Sequence, residues 1–203
     1  MEIEVIIMSI ISRKKKYILK AISVFQQNGL RLSLEEVAAK MGITKKTLYN
    51  HFSSKDELLK ECIQLISDDF QEAIAGLDDT NHNPIDNFRE SFIQINFLFT
   101  ELSPIFFYDI MKLNPDQAMS EHLAGSGLFQ QKIKANLEQG IRQEIYRKDL
   151  DIDLVSEYMG YSIFGFYINS IINSSSFISR LYFEEIVDYN LRAIVSEKGK
   201  QLL

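Results

Sequence analysis

The segment "GITKKTLYNHFSSKDELL", residues 42–59, decides how this chain is interpreted. Thr44 is predicted to cap a short helix, because its side chain can accept a hydrogen bond from the first turn. Leu48 and Phe52 lie four residues apart and are therefore expected to face the core together. The other positions hold basic, aromatic, amide and hydroxyl side chains. Such a concentration of polar side chains on one short helix needs an explanation.

The preceding segment, "LSLEEVAAKMG", predicts a second short helix. Ser33 and Glu36 have the spacing of a capping box, and Gly42 ends the helix. Two helices that cross through a tight turn need a small residue at the crossing and a glycine in the turn, and Ala38 and Gly42 meet both needs. Apolar residues must flank the turn. These anchors are Val37, Met41, Ile43 and Leu48, and the segment is predicted to be a helix-turn-helix.

The second helix of such a unit enters the major groove of DNA by its first turn. Lysine can donate hydrogen bonds to guanine, and a threonine methyl group can contact thymine. Tyrosine, asparagine, histidine and lysine side chains that follow can bind phosphate. Two alternatives stay open: Tyr49 as a half-buried core residue, and His51 as an interior histidine. The candidate DNA-binding residues are Ser33, Thr44, Lys45, Lys46, Thr47, Tyr49, Asn50, His51 and Lys55.

The charge distribution favours the same interpretation. The net charge is −6, but residues 1–60 carry 11 Lys and Arg against 6 Asp and Glu, a net of +5. The remaining 143 residues carry a net of −11. A basic head on an acidic body indicates a polyanion-binding N-terminal part, with a solvated basic face as the alternative. Lys14, Lys15 and Lys16 either help to hold phosphate or are solvated.

The chain from about residue 12 to residue 60 resembles the DNA-binding domain of the TetR family of bacterial transcriptional regulators. The resemblance is carried by Thr47-Leu48-Tyr49, by His51-Phe52 and by Lys55. It implies a homodimeric, all-α transcriptional repressor that binds double-stranded DNA. It also implies a variable C-terminal domain that binds a ligand. It also implies that residues 45–47 contact bases, whereas Ser33, residues 49–51 and Lys55 contact phosphate. Lys46 stands where many members carry a small residue, so no operator sequence is inferred.

The rest of the chain predicts more helices, about nine in all, and no strand. The first helix is expected over about residues 13–28, and Met8 is an alternative start that would leave 1–7 as an unstructured leader. A fourth helix is predicted from about residue 55 to 77, and the polar segment "DDTNHNP" is predicted to be a linker. Later helical blocks are predicted at about 85–101, 104–112, 116–146, 151–173 and 180–198. The expected domains are 8–60, which binds DNA, and 61–203, which binds ligand and dimerises.

Aromatic residues are concentrated in the C-terminal half, with 17 of the 23 after residue 90. At helical spacing such residues are usually core, and that alternative stays open. The resemblance favours a pocket for an unknown apolar or aromatic effector. The candidate pocket residues are Phe97, Phe106, Phe107, Met111, Tyr158, Tyr161 and Phe164.

The last two long helices are predicted to form the homodimer interface. The block at about 151–172 is apolar on several faces, so one face needs cover from outside the subunit. The block at about 180–198 is its expected companion in a four-helix interface across a two-fold axis.

Other classes of function have little support. No apolar run is long enough to span a membrane, and the basic cluster follows the N-terminal apolar run rather than preceding it, so we expect a cytoplasmic protein. Cys62 is the single cysteine, so an internal disulfide is excluded. We expect Cys62 to be a small buried apolar residue. The three histidines form no metal-spaced pair, and no phosphate-binding glycine loop is present, so neither a metal, a cofactor nor an enzyme is expected. A helical interaction protein or ligand-binding module without operator-specific DNA binding is the alternative.

Overall fold

The computed structural model describes residues 2–100, 103, 106, 109–110, 127–173 and 180–203 of the chain. Side chains are described for these residues except at positions 2–12, 99–100, 163–173 and 180–183. The predicted all-α fold is confirmed, and the described β-structure is one isolated bridge between Tyr146 and Val195. Eight α-helices lie in the described part: α1 (Glu2–Asn28), α2 (Leu34–Lys40), α3 (Lys45–Tyr49), α4 (Lys55–Ile74), α5 (Pro84–Thr100), α6 (Leu128–Arg142), α7 (Ile152–Asn173) and α8 (Arg180–Ile194).

The beginning of α1 differs from the prediction. The helix begins at Glu2 rather than near Arg13, so the alternative of an unstructured leader is not what the structure shows. The apolar run before Arg13 contains neither glycine nor proline, and nothing in it interrupts a helix. The predicted end is confirmed, because Gly29 follows Asn28 with φ +76°, in the left-handed region that glycine adopts without strain.

Most other boundaries agree with the sequence. The capping serine of α4 is Ser54, whose Oγ accepts a hydrogen bond from the Glu57 N–H at 3.1 Å. The helix ends at Ile74, and a 3₁₀ turn over Ala75–Asp78 follows. Pro84 opens α5 after the predicted linker, and α6 begins at Leu128, after the predicted interruption. The block predicted at about 104–112 and residues 116–126 of the next lie largely outside the described residues.

The chain divides into two compact units. The N-terminal unit contains residues 1–68 together with the described residues between 102 and 119. The C-terminal unit contains residues 69–101 and the part after residue 119. Helix α4 begins in the first unit and ends in the second. The functional domains expected at 8–60 and 61–203 remain a prediction.

A compact apolar core holds the helices of the N-terminal unit together. Phe25, Leu48, Phe52 and Leu58 are all but inaccessible to solvent. Cys62 is also completely buried, and its Sγ lies 3.8 Å from the carbonyl oxygen of Ile18 in α1. Burial raises the pKa of the Cys62 thiol to about 12, so the thiolate is negligible at neutral pH. Cys62 therefore serves as a small core residue, as the sequence indicated.

The C-terminal unit has an aromatic core. The rings of Phe88 and Phe92 stack with centroids 4.5 Å apart. Phe129 of α6 lies 5.7 Å from both Phe92 and Phe70. Part of the aromatic excess is thus core. Among the described residues, no helix is both long enough and apolar enough to cross a membrane.

Candidate DNA-binding site

The turn between α2 and α3 is built around Gly42. Its φ of +69° lies in the left-handed region, and a Cβ placed there would meet nothing within 4 Å. Glycine is therefore needed for the backbone conformation rather than for space. Ala38 is buried at the crossing, and its carbonyl oxygen accepts a hydrogen bond from the Ile43 N–H at 3.1 Å. The predicted helix-turn-helix geometry is present.

Helix α3 is a single short element whose N-terminal end is capped by a side chain. The Thr44 hydroxyl accepts a hydrogen bond from the Thr47 N–H at 3.0 Å and lies 2.7 Å from the Thr47 hydroxyl. Leu48 is completely buried and anchors the helix. Because one side of α3 is fixed in the core, Lys46 and Asn50 are exposed to solvent.

Lys45, Tyr49 and Glu35 form a surface cluster. The Lys45 ammonium forms an ion pair with the carboxylate of Glu35 in α2. The Tyr49 hydroxyl donates a hydrogen bond to the same carboxylate oxygen at 3.3 Å, and the Lys45 Nζ lies 5.3 Å from the centre of the Tyr49 ring. The hydrogen bond from Lys45 lowers the pKa of Glu35, and the same contact raises the pKa of Lys45. With 41% of its surface exposed, Tyr49 is no core residue.

His51 lies on the side of the site next to α1. Its ring centroid is 4.9 Å from that of Tyr17, and the rings are tilted by 49°. The His51 side chain is partly buried, as the alternative of an interior histidine requires in part. Lys14, which the sequence offered as a phosphate contact, forms an ion pair with Glu61 at 2.6 Å instead and joins α1 to α4.

The remaining predicted phosphate ligands lie at helix beginnings. The Ser33 backbone N–H and hydroxyl donate to one Glu36 oxygen at 2.7 and 2.9 Å, and the Ser33 Oγ accepts from the Glu36 N–H at 3.3 Å. The predicted capping box is therefore confirmed. Lys55 is the partly buried first residue of α4. All nine predicted DNA-binding residues belong to the N-terminal unit, and their roles toward DNA stay predictions.

Two contacts of this site were not predicted from the sequence. Neither the ion pair of Glu35 with Lys45 nor the packing of Tyr17 on His51 follows from helical periodicity, since each joins residues of different structural elements. The only signal in the sequence for the first contact was a carboxylate in the first turn of α2 combined with two consecutive lysines at the start of α3.

The described members of the predicted effector pocket differ in their exposure to solvent. Phe106 is fully buried in the N-terminal unit. Tyr158 and Tyr161 are 61% and 74% exposed on α7. Phe97 is 66% exposed and borders a surface hollow of about 600 Å³. The hollow is lined by Asp69, Glu72, Ala73, Ile93, Gln94, Phe97 and Leu98.

Three of the predicted pocket positions cannot be compared with the structure. Phe107 and Met111 lie outside the described residues, and so does the side chain of Phe164. The pocket assignment therefore stays a prediction.

Comparison with known proteins finds a family match for the segment that contains this geometry. Residues 18–62 match the model of "Bacterial regulatory proteins, tetR family". The chain is 27% identical over 154 residues to the HTH-type transcriptional repressor KstR2 of Mycobacterium tuberculosis, which covers 73% of this chain and 76% of that protein.

Solved structures share the fold. The structure of the ketosteroid transcriptional regulator KstR2 of Mycobacterium tuberculosis matches with a TM-score of 0.64 and 21% identity, over 91% of this chain and 96% of that one. SmeT, the repressor of the Stenotrophomonas maltophilia multidrug efflux pump SmeDEF, matches with a TM-score of 0.66 and 16% identity, over 92% of each chain. Residues 18–62 therefore match a TetR-family DNA-binding segment, the chain shares its fold with solved transcriptional regulators, and its relatives indicate a DNA-binding transcriptional regulator.

Proposed function

We propose that this protein is a repressor that binds a palindromic operator as a homodimer and releases it when an apolar small molecule binds. The observation that carries the proposal is the first turn of α3. Thr44 caps this turn, and the buried Leu48 anchors the helix in the core. Lys46 is therefore held on the surface where a base edge would lie. Lysine donors in this position suit guanine, and the partly exposed Thr47 suits a thymine methyl group.

Phosphate binding is assigned to residues around that turn. Asn50 is exposed after the last residue of α3, and Lys55 begins α4. Positively charged and amide donors next to a groove-binding helix can fix its register without reading sequence. Ser33 and Tyr49 carry exposed hydroxyl groups and belong to the same proposed set. His51 joins it through the exposed part of its ring.

The homodimer is proposed to form through α7 and α8. Leu154, Tyr158 and Tyr161 recur at helical spacing on one face of α7, and all three are more than 60% exposed. Met159, on another face of the helix, is 1% exposed, so α7 already uses that face inside its own unit. Tyr189 on α8 is 77% exposed. A surface with this many large aromatic side chains is typical of a protein interface.

The effector is proposed to be apolar or aromatic. The hollow beside Phe97 has a largely apolar surface, and it is bordered by the last turns of α4. Helix α4 is one uninterrupted helix whose first residue, Lys55, is a proposed phosphate ligand. A ligand that contacts α4 can therefore change DNA affinity, by a coupling of about 1–3 kcal/mol. The relative KstR2 is described as a ketosteroid regulator, which supports the apolar class.

The experiment that tests the proposal is selection of bound duplexes from a random DNA pool by the purified full-length protein. We expect an enriched palindrome whose half-site centres are about 34–36 Å apart, or a multiple of one DNA turn. Apolar compounds titrated into the resulting complex should then weaken binding. If no sequence is enriched above the starting pool, the alternative of a helical interaction or ligand-binding module is correct.

A further inference from the structure

Glu35 occupies an unexpected position for a protein that binds DNA. It lies in the first turn of α2, on the surface, and its carboxylate contacts both Lys45 and Tyr49 of α3. A carboxylate so close to the first turn of the groove-binding helix repels DNA phosphates. Its contribution to folding is small, because an exposed ion pair stabilises little. The capping of α2 is performed by Glu36, so Glu35 is not needed for that purpose.

The two consecutive lysines of α3 are consequently not equivalent. Lys45 is paired with Glu35, and its ammonium also lies over the Tyr49 ring. Among the described residues, no acidic side chain forms an ion pair with Lys46. Lys46 is therefore available to any acceptor on DNA, whereas Lys45 must exchange one anionic partner for another.

We propose that Glu35 is a positioning residue that raises the DNA specificity of this protein by holding Lys45 and Tyr49 in one arrangement. The inference rests on the proposed function, in which α3 reads base edges. On arbitrary DNA, Lys45 gains little by leaving the Glu35 carboxylate for a phosphate. At the operator, a correctly placed base-edge acceptor replaces or shares the carboxylate. Glu35 thus lowers the affinity for wrong sequences more than the affinity for the right one.

The expected effect of removing the charge follows from counterion release. In Glu35→Gln the shape of the side chain is kept, but Lys45 becomes available to phosphates. Each additional phosphate contact steepens the dependence of log affinity on log salt by about 0.9. We expect this change on a scrambled duplex, with affinity there rising on the order of fivefold at low salt. The ratio of operator to scrambled affinity should fall by a similar factor.

The test compares four proteins on the selected operator and on a scrambled duplex at several salt concentrations: wild type, Glu35→Gln, Lys45→Met and the double variant. Glu90→Gln is the matched control, because it removes one exposed carboxylate from α5 in the other unit. Its effect measures the contribution of net charge alone. Thermal unfolding of each variant should show unchanged midpoints, which excludes a folding defect.

If Glu35 acts through Lys45, its effect on the specificity ratio disappears in the Lys45→Met background. The inference is overturned if Glu35→Gln behaves like Glu90→Gln, or if it changes the ratio equally with and without Lys45. Failure of the wild type to enrich any duplex would instead overturn the proposed function, and this inference with it. The two failures are therefore distinguishable.

Discussion

The Tyr146 hydroxyl donates a hydrogen bond to the Asn136 Oδ1 at 3.1 Å, and both side chains are completely buried in the C-terminal unit. The Asn136 Nδ2 in turn donates to the carbonyl oxygens of Leu77 at 2.7 Å and Pro84 at 2.9 Å. One amide thus fixes both ends of the polar segment between α4 and α5. Burial raises the pKa of Tyr146, which keeps its hydroxyl protonated and able to donate.

This arrangement predicts that Asn136→Leu costs far more than Tyr146→Phe. The leucine leaves two carbonyl oxygens and a hydroxyl group without their partner, and each such buried group costs about 1–3 kcal/mol. The phenylalanine removes one hydrogen bond, worth about 1 kcal/mol. It leaves one acceptor, the Asn136 Oδ1, without its donor. Urea unfolding followed by circular dichroism measures both. Equal losses would mean that water reaches the carbonyl groups in Asn136→Leu.

The turn after α6 predicts that glycine is more stable than alanine at position 144. Glu144 has φ +61°, the one non-glycine residue with positive φ in the described part of the chain. The Ile145 N–H donates to the Gly140 carbonyl oxygen at 2.8 Å across this helix end, where glycine is usually found at the left-handed position. Glu144→Gly should therefore raise the free energy of unfolding by about 1 kcal/mol relative to Glu144→Ala.

Alanine is the matched control because both variants lose the ion pair of Glu144 with Lys148. Only glycine also removes the backbone strain. Denaturant unfolding of the two variants under identical conditions gives the difference directly. Equal stability of the glycine and alanine variants would show that the strain is negligible.

DNA recognition predicts different phenotypes for two lysines. Lys46→Ala should relax the base preference at one position in each half-site, because a good base contact discriminates by about 1–3 kcal/mol. Lys55→Ala should weaken all duplexes alike and reduce the salt exponent by about 0.9. Repeating the pool selection and the salt titration with each variant measures both effects. Two variants with the selectivity and salt dependence of the wild type would refute the docking of α3 in the groove.

Local chemistry explains why much of this site was predictable. Ser33 and Glu36 form their capping box within one turn, and Thr44 caps α3 in the same way. Gly29 and Gly42 both adopt positive φ where the helix ends were predicted. Each of these features depends on residues within four positions of each other, so the sequence contains all of the information.

Contacts between helices could not be predicted in this way. The pair of Glu35 with Lys45 depends on the crossing of α2 and α3, and the three contacts of Asn136 join α6 to a distant segment and to Tyr146. The division of aromatic residues between core and surface had the same limit: Phe92 is buried whereas Phe97, on the same helix, is exposed. Periodicity indicates a helix face, but the identity of its neighbour is a tertiary property.

The exposed face of α7 predicts the effect of charge on assembly. Tyr158→Glu and Tyr161→Glu each place a carboxylate in the middle of the proposed interface, where a buried unpaired charge costs several kcal/mol. The full-length wild type should have twice the mass of the 23.5 kDa chain by light scattering, and each variant should have the mass of one chain at micromolar concentration. Operator affinity should fall with dissociation, because the two half-sites are no longer held by one linked pair of heads.

Phe97→Glu is the control for this experiment. It also introduces a carboxylate at an exposed aromatic position, but on α5, which the proposed interface does not include. It should therefore keep the mass of a dimer by light scattering. A wild type that already has the mass of one chain would contradict the two-fold model. Dissociation of Phe97→Glu together with intact Tyr158→Glu and Tyr161→Glu dimers would move the interface from α7 to α5.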